Sequence, residues 1–270
     1  MSYLIVGANG NFSLQLQEIL RTDNPIVLDR NLYSNWENHN SKLISKVVSI
    51  TEEFDIKYLI NTVGIISKNY STDFIKYWNY LFPKHLYQIC HELNLTLVTL
   101  GSIHENILEM CIDNPYLESK KELEQFLVKN NFVNSVHFQI HTWYGGQNLQ
   151  PGMFLGQIIN SLKNKTIFNM SDGKQVREYH HVFDDATCIL KNLQNAVGGI
   201  YAISHGERFS LKEIAYGIFQ YFDSEDLLDL NKIEPPRFEV RDESALELKI
   251  SQCKFRPTMK GLIDYIEKNI

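Results

Sequence analysis

Tyr116 and Lys120 have the residue types and the spacing of an acid–base pair. They are four positions apart, so on a helix they lie one turn apart on the same face. A tyrosine with its ordinary pKa of about 10 is a poor acid–base group at neutral pH, and a neighbouring ammonium favours its phenolate. Ser102 follows an apolar run and could hold a carbonyl or an alcohol against that phenol. These residues predict a proton shuttle at Tyr116.

A second pattern, near the start of the sequence, is typical of nucleotide binding. Residues 3–13 read as an apolar strand, a turn of small residues and the start of a helix. Gly7 allows a sharp turn, and Gly10 lets backbone N–H groups approach an anion at the helix N-terminus. A short strand at 25–28 follows at βαβ spacing and ends in Asp29, where a carboxylate would meet a ribose diol. The unit predicts a dinucleotide site; the alternative is an ordinary turn with a surface aspartate.

The rest of the chain alternates predicted strands with predicted helices. We expect strands at 46–50, 57–63, 95–100, 135–140 and 199–204, and helices at 74–93, 116–128, 153–162, 211–222 and 259–267. This order predicts an α/β fold: a Rossmann-type doubly wound parallel sheet with a small C-terminal substrate-binding subdomain. The predicted boundaries are 1–146 for the dinucleotide-binding domain, to which 177–200 return, with 147–176 and 201–270 forming the subdomain.

Composition narrows the possible partners and the compartment. The formal charge is −6 with scattered basic residues, so we expect no nucleic-acid partner. The four cysteines are far apart and form no C-x-x-C pair, which favours reduced core residues, and we predict no metal site. The absence of a leader and of an apolar run near 18 residues predicts no membrane association and a cytoplasmic location.

Taken together, these motifs resemble the extended branch of the short-chain dehydrogenase/reductase superfamily, the NAD-dependent epimerase/dehydratase family of nucleotide-sugar enzymes. GANGNFS is similar to the branch's G-x-x-G-x-x-G loop with Ser13 in the third place, and NTVG to its fourth-strand loop. LGS followed by YLESK matches the catalytic serine, tyrosine and lysine, and Trp78-Asn79 resembles the buried asparagine of helix 4. HTWYGG and REYHHVFDDA look like the N-x-Y-G-P and R-x-Y-x-H-V-x-D segments that select the extended branch.

The resemblance implies a dinucleotide cofactor and a nucleotide-sugar substrate. Asp29 favours NAD, because a carboxylate accepts a hydrogen bond from the ribose 2′-OH and repels a 2′-phosphate, while Arg30 leaves NADP possible. Arg177 is expected to meet the nucleotide-sugar diphosphate, with Arg237 as its partner, because a guanidinium suits a diphosphate. The residues expected to contact the cofactor are Gly7, Asn9, Gly10, Asn11, Phe12, Asp29, Arg30, Thr62, Val63, Gly64, Tyr116, Lys120 and Ile140; those for substrate are His104, Asn148, Arg177 and Arg237.

Departures from the family pattern narrow the reaction. The family's 4,6-dehydratases carry Asp-Glu directly after the active-site Ser/Thr, where this chain has Ile103-His104, so elimination of water is not expected. Its 3,5-epimerase/reductases use a cysteine two residues past the serine and a histidine in the loop after Y-G. This chain has His104 at the first place and no histidine at 145–153, so double epimerisation is not expected either. His104 is then a lone acid–base group, a substrate hydrogen-bond donor or an ordinary loop residue.

The predicted function is an NAD(P)-dependent oxidoreductase acting on a nucleotide-activated sugar. Reduction of a 4-keto-6-deoxy sugar at C4, with Tyr116 as general acid and Ser102 and Lys120 assisting, is the favoured reaction. The alternatives are a C4 epimerase that retains its NAD and a non-catalytic nucleotide-sensing protein of the same fold. Family members commonly dimerise through the two helices that correspond to 74–93 and 116–128, so we also expect a homodimer.

Overall fold

The computed structural model describes residues 2–33, 40–66, 69–147, 150–241 and 251–270. The chain divides into two compact units, the first formed by Met1–Ile140 with Ile189–Ile203 and the second by His141–Cys188 with Ser204–Ile270. The predicted domain boundaries fall at other positions, and the assignment of a cofactor domain and a substrate domain stays a prediction.

The described elements follow one another in strand–helix alternation through the first half of the chain. In chain order they are β1 (Ser2–Val6), α1 (Asn11–Ile19), β2 (Ile26–Leu28), α2 (Asn40–Glu53), β3 (Ile56–Asn61), α3 (Thr72–Lys76), α4 (Phe82–Glu92), β4 (Thr96–Ser102), α5 (Leu108–Cys111), α6 (Pro115–Lys129), β5 (Ser135–Ile140), β6 (Thr142–Tyr144), α7 (Phe154–Asn164), β7 (Phe168–Asn169), β8 (Val176–Arg177), β9 (Tyr179–His181), α8 (Val182–Leu193), β10 (Gly199–Ala202), β11 (Phe209–Ser210), α9 (Leu211–Tyr221), β12 (Leu228–Asp229) and α10 (Thr258–Glu267).

The first unit is built on a sheet whose six described strands are all parallel, in the order β2-β1-β3-β4-β5-β10. The order reverses at β1, because the chain moves from β1 to β2 on one side and then crosses to β3 on the other. In open α/β sheets such a switch point is where ligands bind, outside the carboxyl ends of the strands. The predicted Rossmann-type α/β fold is confirmed, and its crevice lies at the ends of β1 and β3.

The core of this unit joins the sheet to the helices that cover it. Leu4, Leu59 and Leu97 come from adjacent strands and are fully buried, as expected for parallel strands covered on both faces. Phe82 and Leu123 from α4 and α6 belong to the same apolar cluster. The sheet is therefore a rigid base for the loops that follow its strands.

The strand predicted at 46–50 is wrong, because these residues lie inside α2. The run is rich in β-branched residues, which favours a strand. In the structure, however, Val47 and Ile50 are buried while Lys46 and Ser49 are exposed, a three-residue spacing that fits a helix. β2 consequently ends the described sheet on that side.

The helix predicted at 74–93 is present but is not continuous. A five-residue π-helical segment, Tyr77–Leu81, joins α3 to α4. Pro83 explains the break: it has no N–H to donate to the carbonyl of residue 79, and its ring would crowd that carbonyl in a regular helix. π-helical turns of this kind occur frequently at functional sites.

The second unit combines short strand pairs with helices α7, α9 and α10 and the first part of α8. β6 pairs with β9, β8 with β11 and β7 with β12. Its core brings together Ile158 of α7, Phe168 of β7, Ile218 of α9 and Leu262 of α10. The predicted cap of α9 is confirmed, since the Ser210 side chain accepts from the backbone N–H of residue 213 and the glutamate there bonds back.

The expectation of four reduced cysteines is wrong for two of them. Cys188 and Cys253 form a disulfide within the second unit, whereas Cys90 and Cys111 are free thiols. The two partners are 65 positions apart, and such connectivity is not readable from spacing alone. Among the described helices, none has the length and the apolar composition to cross a membrane.

Candidate active site

The loop after β1 turns at a position where only glycine fits. Gly7 has a φ of +105°, and its N–H donates to Leu28 O at the end of β2, 3.2 Å away. A Cβ at Gly7 would overlap the hydroxyl of Thr62, which donates to the carbonyl oxygens of Val6 and Gly7 at 2.8 and 2.9 Å. The turn is thus clamped between the ends of β2 and β3.

Gly10 is the N-cap of α1 and has an unstrained extended backbone. A Cβ at this position would meet no protein atom within 4 Å, so the fold itself does not require glycine here. The first N–H groups of a helix are without intrahelical partners and favour an anion. A phosphate that must come close to the backbone would explain why glycine stands at position 10. The loop from Gly7 to Gly10 and the start of α1 therefore fit a dinucleotide pyrophosphate.

Gln17, a residue of α1 that the sequence did not single out, ties this loop to the helix. Gln17 donates to Ala8 O at 2.8 Å and to the Ser13 hydroxyl at 3.1 Å. Ser13 is fully buried, which agrees with its place at the third position of the loop motif, where the helix packs closely on the strand. The flanking Asn11 and Phe12 form the first turn of α1.

Asp29 lies directly after β2, as predicted. One carboxylate oxygen accepts from the backbone N–H of Asn31 at 2.9 Å, and the other accepts from the Asn9 side chain at 3.4 Å. The structure therefore brings the predicted loop residue Asn9 and the predicted ribose ligand Asp29 together. Arg30 follows and is exposed.

The loop after β3 forms the other side of the switch point. The Asn79 side chain donates to Ile65 O at 2.8 Å and accepts from Ile65 N at 3.1 Å, so the π-helical segment pins this loop. Val63 N donates to the Asn61 side chain at 3.1 Å. Gly64 lies between the π-helical segment and α6, because a Cβ there would come within 3.2 Å of Asn79 Oδ1 and 3.8 Å of Lys120 Nζ.

Tyr116 and Lys120 lie in the first turns of α6, which Asn114 caps. Lys120 is buried, and its Nζ donates to Leu100 O of β4 at 2.7 Å and lies 5.8 Å from the centre of the Tyr116 ring. Burial lowers the pKa of Lys120 to about 8, against the opposing effect of the Glu105 carboxylate. The predicted pair is thus held beside β4, the strand that carries Ser102.

The predicted lowering of the Tyr116 pKa by Lys120 is wrong for this structure. Burial raises the pKa of Tyr116 well above its ordinary value, and the negative charge of Glu105 raises it further. Burial disfavours the phenolate because it removes the charged form from water. Tyr116 is therefore a protonated phenol at neutral pH.

Ser102 is the last residue of β4 and is buried. Its hydroxyl accepts from the His104 N–H at 3.3 Å and caps the short 3₁₀ helix Ile103–Asn106. His104 is half-buried in that turn. Ile140 stands beside Ser102 in the sheet register, at the end of β5.

Glu105 is a functional candidate that the sequence did not single out. It is fully buried, and its carboxylate accepts from the backbone N–H of Ser102 at 3.0 Å. His137 and Gln139 of β5 contact the same carboxylate at 3.0 and 2.9 Å. The Ser102 contact follows from the S-x-x-E spacing of a capping box, but no local pattern signals the contacts with His137 and Gln139, which lie more than 30 positions away.

The predicted substrate arginines both lie in the second unit, and Asn148 lies outside the described residues. Arg177 of β8 donates to Val176 O at 2.8 Å and forms an ion pair with Glu239. Arg237 is exposed and lies 4.9 Å from the centre of the Phe238 ring. Arg177 thus contacts the segment that contains Arg237. Its partner there is the Glu239 carboxylate and not the second arginine.

The two motifs typical of the extended branch form a parallel strand pair, with Thr142 opposite Tyr179 and Tyr144 opposite His181. Beside it, His141, Glu178 and His180 place possible metal ligand atoms within 4.8 Å of one another. Glu178, however, already accepts hydrogen bonds from several donors, including Gly206 N at 3.0 Å and Arg208 Nε at 3.2 Å. The Glu178 carboxylate is thus already occupied by hydrogen-bond donors and by the Arg208 guanidinium. We therefore interpret it as a structural residue and assign no metal to it.

The comparison with solved structures agrees with this architecture. The chain is similar to a dTDP-glucose 4,6-dehydratase from Bacillus anthracis in complex with NAD, at 13% identity over 99% of this chain and 96% of that one, with a TM-score of 0.75. It is also similar to a dTDP-4-dehydrorhamnose reductase from the same organism in complex with NADP, at 18% identity over 99% of each chain and a TM-score of 0.72.

A third similar structure is a UDP-N-acetylglucosamine 4-epimerase from Methanobrevibacter ruminantium in complex with UDP-N-acetylmuramic acid, at 15% identity over 98% of this chain and 97% of that one, with a TM-score of 0.74. At these identities the likeness establishes the fold. No protein in the curated set matches the sequence significantly. The sequence model of the NAD dependent epimerase/dehydratase family matches residues 4–204, and the chain therefore belongs to that family, as the motifs predicted.

Proposed function

We propose that this protein is an NAD(P)-dependent reductase of a nucleotide-activated sugar, with a 4-keto-6-deoxy sugar reduced at C4. The observation that carries the proposal is the Tyr116–Lys120 pair on α6, with Lys120 Nζ bonded to Leu100 O only two residues before Ser102. The same unit contains the glycine loop, which lies at the switch point of the sheet and fits a pyrophosphate. These are the parts that a dinucleotide-dependent reduction of a carbonyl requires.

Tyr116 is the proton donor that the reduction requires. Burial and the Glu105 carboxylate raise its pKa, so its hydroxyl can donate a proton to the alkoxide that forms at the substrate carbonyl. A C4 epimerase would use the same residue first as a base, and the control described below separates the two reactions.

Each candidate residue has a separate role in this reaction. The dinucleotide, when bound, supplies the hydride. Ser102 would orient the substrate carbonyl oxygen, Tyr116 would give that oxygen its proton, and Lys120 would hold the nicotinamide ribose. His104, beside Ser102, is proposed to donate a hydrogen bond to the sugar, and Arg177 with Arg237 to bind the diphosphate.

The cofactor is proposed to be NAD, with NADP possible. The loop from Gly7 to Phe12 would hold the pyrophosphate, and Asp29 would accept from the adenosine ribose. Thr62, Val63, Gly64 and Ile140 would line the nicotinamide side. The similar solved structures, described with NAD, NADP and a UDP-sugar, support a dinucleotide and a nucleotide-sugar ligand for this chain.

The test is Tyr116→Phe, which removes the phenol oxygen and keeps the ring. With NADH and a dTDP-4-keto-6-deoxyhexose, we expect kcat to fall by roughly 10²- to 10⁴-fold, the usual contribution of a general acid. NADH binding, followed by protein fluorescence, should stay unchanged, because the lost atom acts only in the chemical step. A Tyr116→Phe variant with full activity would refute the assignment.

A control separates the reductase from the epimerase. Wild-type protein incubated with a nucleotide hexose and no added reductant should give no product, whereas an epimerase that retains NAD would turn over. Failure of both reactions with intact NADH binding would favour the nucleotide-sensing alternative. The homodimer stays a prediction, which light scattering at micromolar concentration tests.

A further inference from the structure

Glu105 is a buried carboxylate beside the candidate catalytic residues that the proposed reaction leaves without a role. Glu105 is fully buried, and burying an isolated charge there would destabilise the folded state by several kcal/mol. It follows Ser102 in the short 3₁₀ helix at the end of β4. A group this costly to bury needs a specific set of partners and a reason to be charged.

The partners come from two neighbouring strands. Carboxylate Oε2 accepts from Ser102 N at 3.0 Å, and Oε1 accepts from Gln139 Nε2 at 2.9 Å and contacts His137 Nε2 at 3.0 Å. The second ring nitrogen of His137 lies 2.7 Å from the Thr99 hydroxyl. The hydrogen-bond chain therefore runs from β4 through the carboxylate and the imidazole back to β4.

The backbone leaves room for this carboxylate. A Cβ at Gly101 would overlap both His137 Nε2 and Glu105 Oε1, so glycine is required between Leu100 and Ser102. Burial alone would raise the pKa of Glu105, but the electrostatic effect of the His137 ring and the hydrogen bonds from His137, Ser102 N and Gln139 keep this pKa below its ordinary value. Glu105 is thus an anion at neutral pH.

We propose that Glu105 is a positioning residue of the candidate active site: its carboxylate fixes Ser102 through the hydrogen bond from Ser102 N, and its negative charge acts on the Tyr116–Lys120 pair. This inference rests on the proposed function. The titratable groups around the carboxylate are His137 on β5, Tyr116 and Lys120 on α6, and Cys111 on α5, whose Sγ donates to Glu105 O at 3.7 Å.

The direction of the effect is the same for both members of the pair. The Glu105 charge raises the pKa of Tyr116, which burial has already raised, and it raises the pKa of Lys120, which burial lowers to about 8. Loss of this charge would therefore lower both pKa values. Because coupled groups titrate as a unit, the alkaline limit of the pair must move to lower pH whichever residue it reports.

The experiment compares Glu105→Gln, which keeps the shape but loses the charge, with Glu105→Asp, which keeps the charge. The matched control is Glu118→Gln, an equal charge change at an exposed position of α6. The primary readout is the pH dependence of NADH affinity by fluorescence, and the second is the pH profile of kcat/KM with a dTDP-4-keto-6-deoxyhexose. Wild-type affinity should decline as the pH rises through about 8 and Lys120 loses its charge.

We expect Glu105→Gln to move the alkaline limit of both profiles to lower pH by at least roughly 0.5 unit, because the loss of a negative charge lowers the pKa of both Tyr116 and Lys120. Glu105→Asp and Glu118→Gln should keep the wild-type limit. A purely structural glutamate would give another result: Glu105→Asp would be the more damaging change, and neither variant would shift the profile. That result would overturn the inference.

A second variant guards against loss of folding. If Glu105→Gln alone does not fold, the double variant Glu105→Gln/His137→Gln replaces the pair by two amides that can bond to each other, and the same shift is expected. NADH binding by the wild-type protein with an unshifted Glu105→Gln limit would overturn this inference alone. Failure of the wild-type protein to bind NADH at any pH would overturn the proposed function and the inference with it.

Discussion

Gly7 and Gly10 occupy the same loop, but the structure gives them different reasons to be glycine. Gly7 has a φ of +105° and no room for a Cβ beside Thr62, so Gly7→Ala should lower the free energy of unfolding by roughly 1–3 kcal/mol. Gly10 has an ordinary backbone and open space, so Gly10→Ala should keep the melting temperature and weaken NADH binding by roughly tenfold or more.

Thermal unfolding and NADH titration of the two variants check this separation. Each variant is the control of the other, because both add one methyl group to the same loop. Wild-type NADH affinity in Gly10→Ala would contradict a pyrophosphate site at the N-terminus of α1.

If Arg177 binds the substrate diphosphate as proposed, Glu239 would compete for the same guanidinium. The two side chains form an ion pair within the second unit. Glu239→Gln removes the competing charge, so we expect the KM for the nucleotide sugar to fall by roughly two- to fivefold, the range of a partly exposed ion pair. Steady-state kinetics would measure it, with Glu234→Gln as an exposed control in the same segment. A higher KM in Glu239→Gln would show that the glutamate assists substrate binding.

The sequence identifies site residues whose roles depend on local patterns. Gly7, Asp29, Ser102 and the pair on α6 all follow from motifs at fixed spacing, and the structure places them at strand ends and in one helix turn. The Ser102–Glu105 spacing fits a capping box, but the contacts of Glu105 with β5 cannot be read from it. The rise of the Tyr116 pKa could not be predicted either, since burial is a property of the fold and not of the four-residue spacing.

At the scale of elements, prediction succeeds where one physical signal dominates. The largely apolar run of β3 and the alternation of polar and apolar residues in β5 both favour a strand and have no competing interpretation. Residues 46–50 carry two signals, β-branched composition and helical spacing, and the spacing decides the outcome in α2. The two-residue strands of the second unit are too short to give a periodic signal at all.

The π-helical segment combines a break in the helix at Pro83 with a contact of Asn79 to the loop after β3. Pro83 interrupts the regular helix, and the widened turn places the Asn79 side chain on the loop after β3. Periodicity predicts the helix at 74–93 but contains no signal for a turn with one extra residue. The resemblance of Trp78-Asn79 to a family motif indicated which asparagine is buried. The structure adds that this asparagine lies in a π-helical turn next to Pro83.

At the scale of the whole molecule, the disulfide closes a loop of 65 positions between α8 and Cys253. A cross-link of this span contributes about 4 kcal/mol in the chain-entropy model. We therefore expect Cys253→Ser to lower the free energy of unfolding by roughly 2–4 kcal/mol in denaturant titrations under non-reducing conditions. Cys111→Ser, which removes a free thiol, should have a much smaller effect.

Thiol counting provides the independent check of this prediction. The unfolded wild-type protein should titrate two thiols without reductant and four with it. Equal stability of Cys253→Ser and wild type, with four thiols in both conditions, would contradict the cross-link and restore the expectation from the cysteine spacing.

The division of the chain between the two units also sets an order of events during synthesis. β5 is buried along its whole length in the finished sheet, yet its outer neighbour β10 lies about 60 residues further along the chain. At about 5–20 residues per second the ribosome needs roughly 3–12 s to supply it. During that interval the backbone groups on the outer edge of β5 have no strand partner, and such an edge can pair with other chains. We therefore expect nascent chains to be prone to aggregation until β10 is synthesised, and any chain released before residue 199 would keep that edge unpaired.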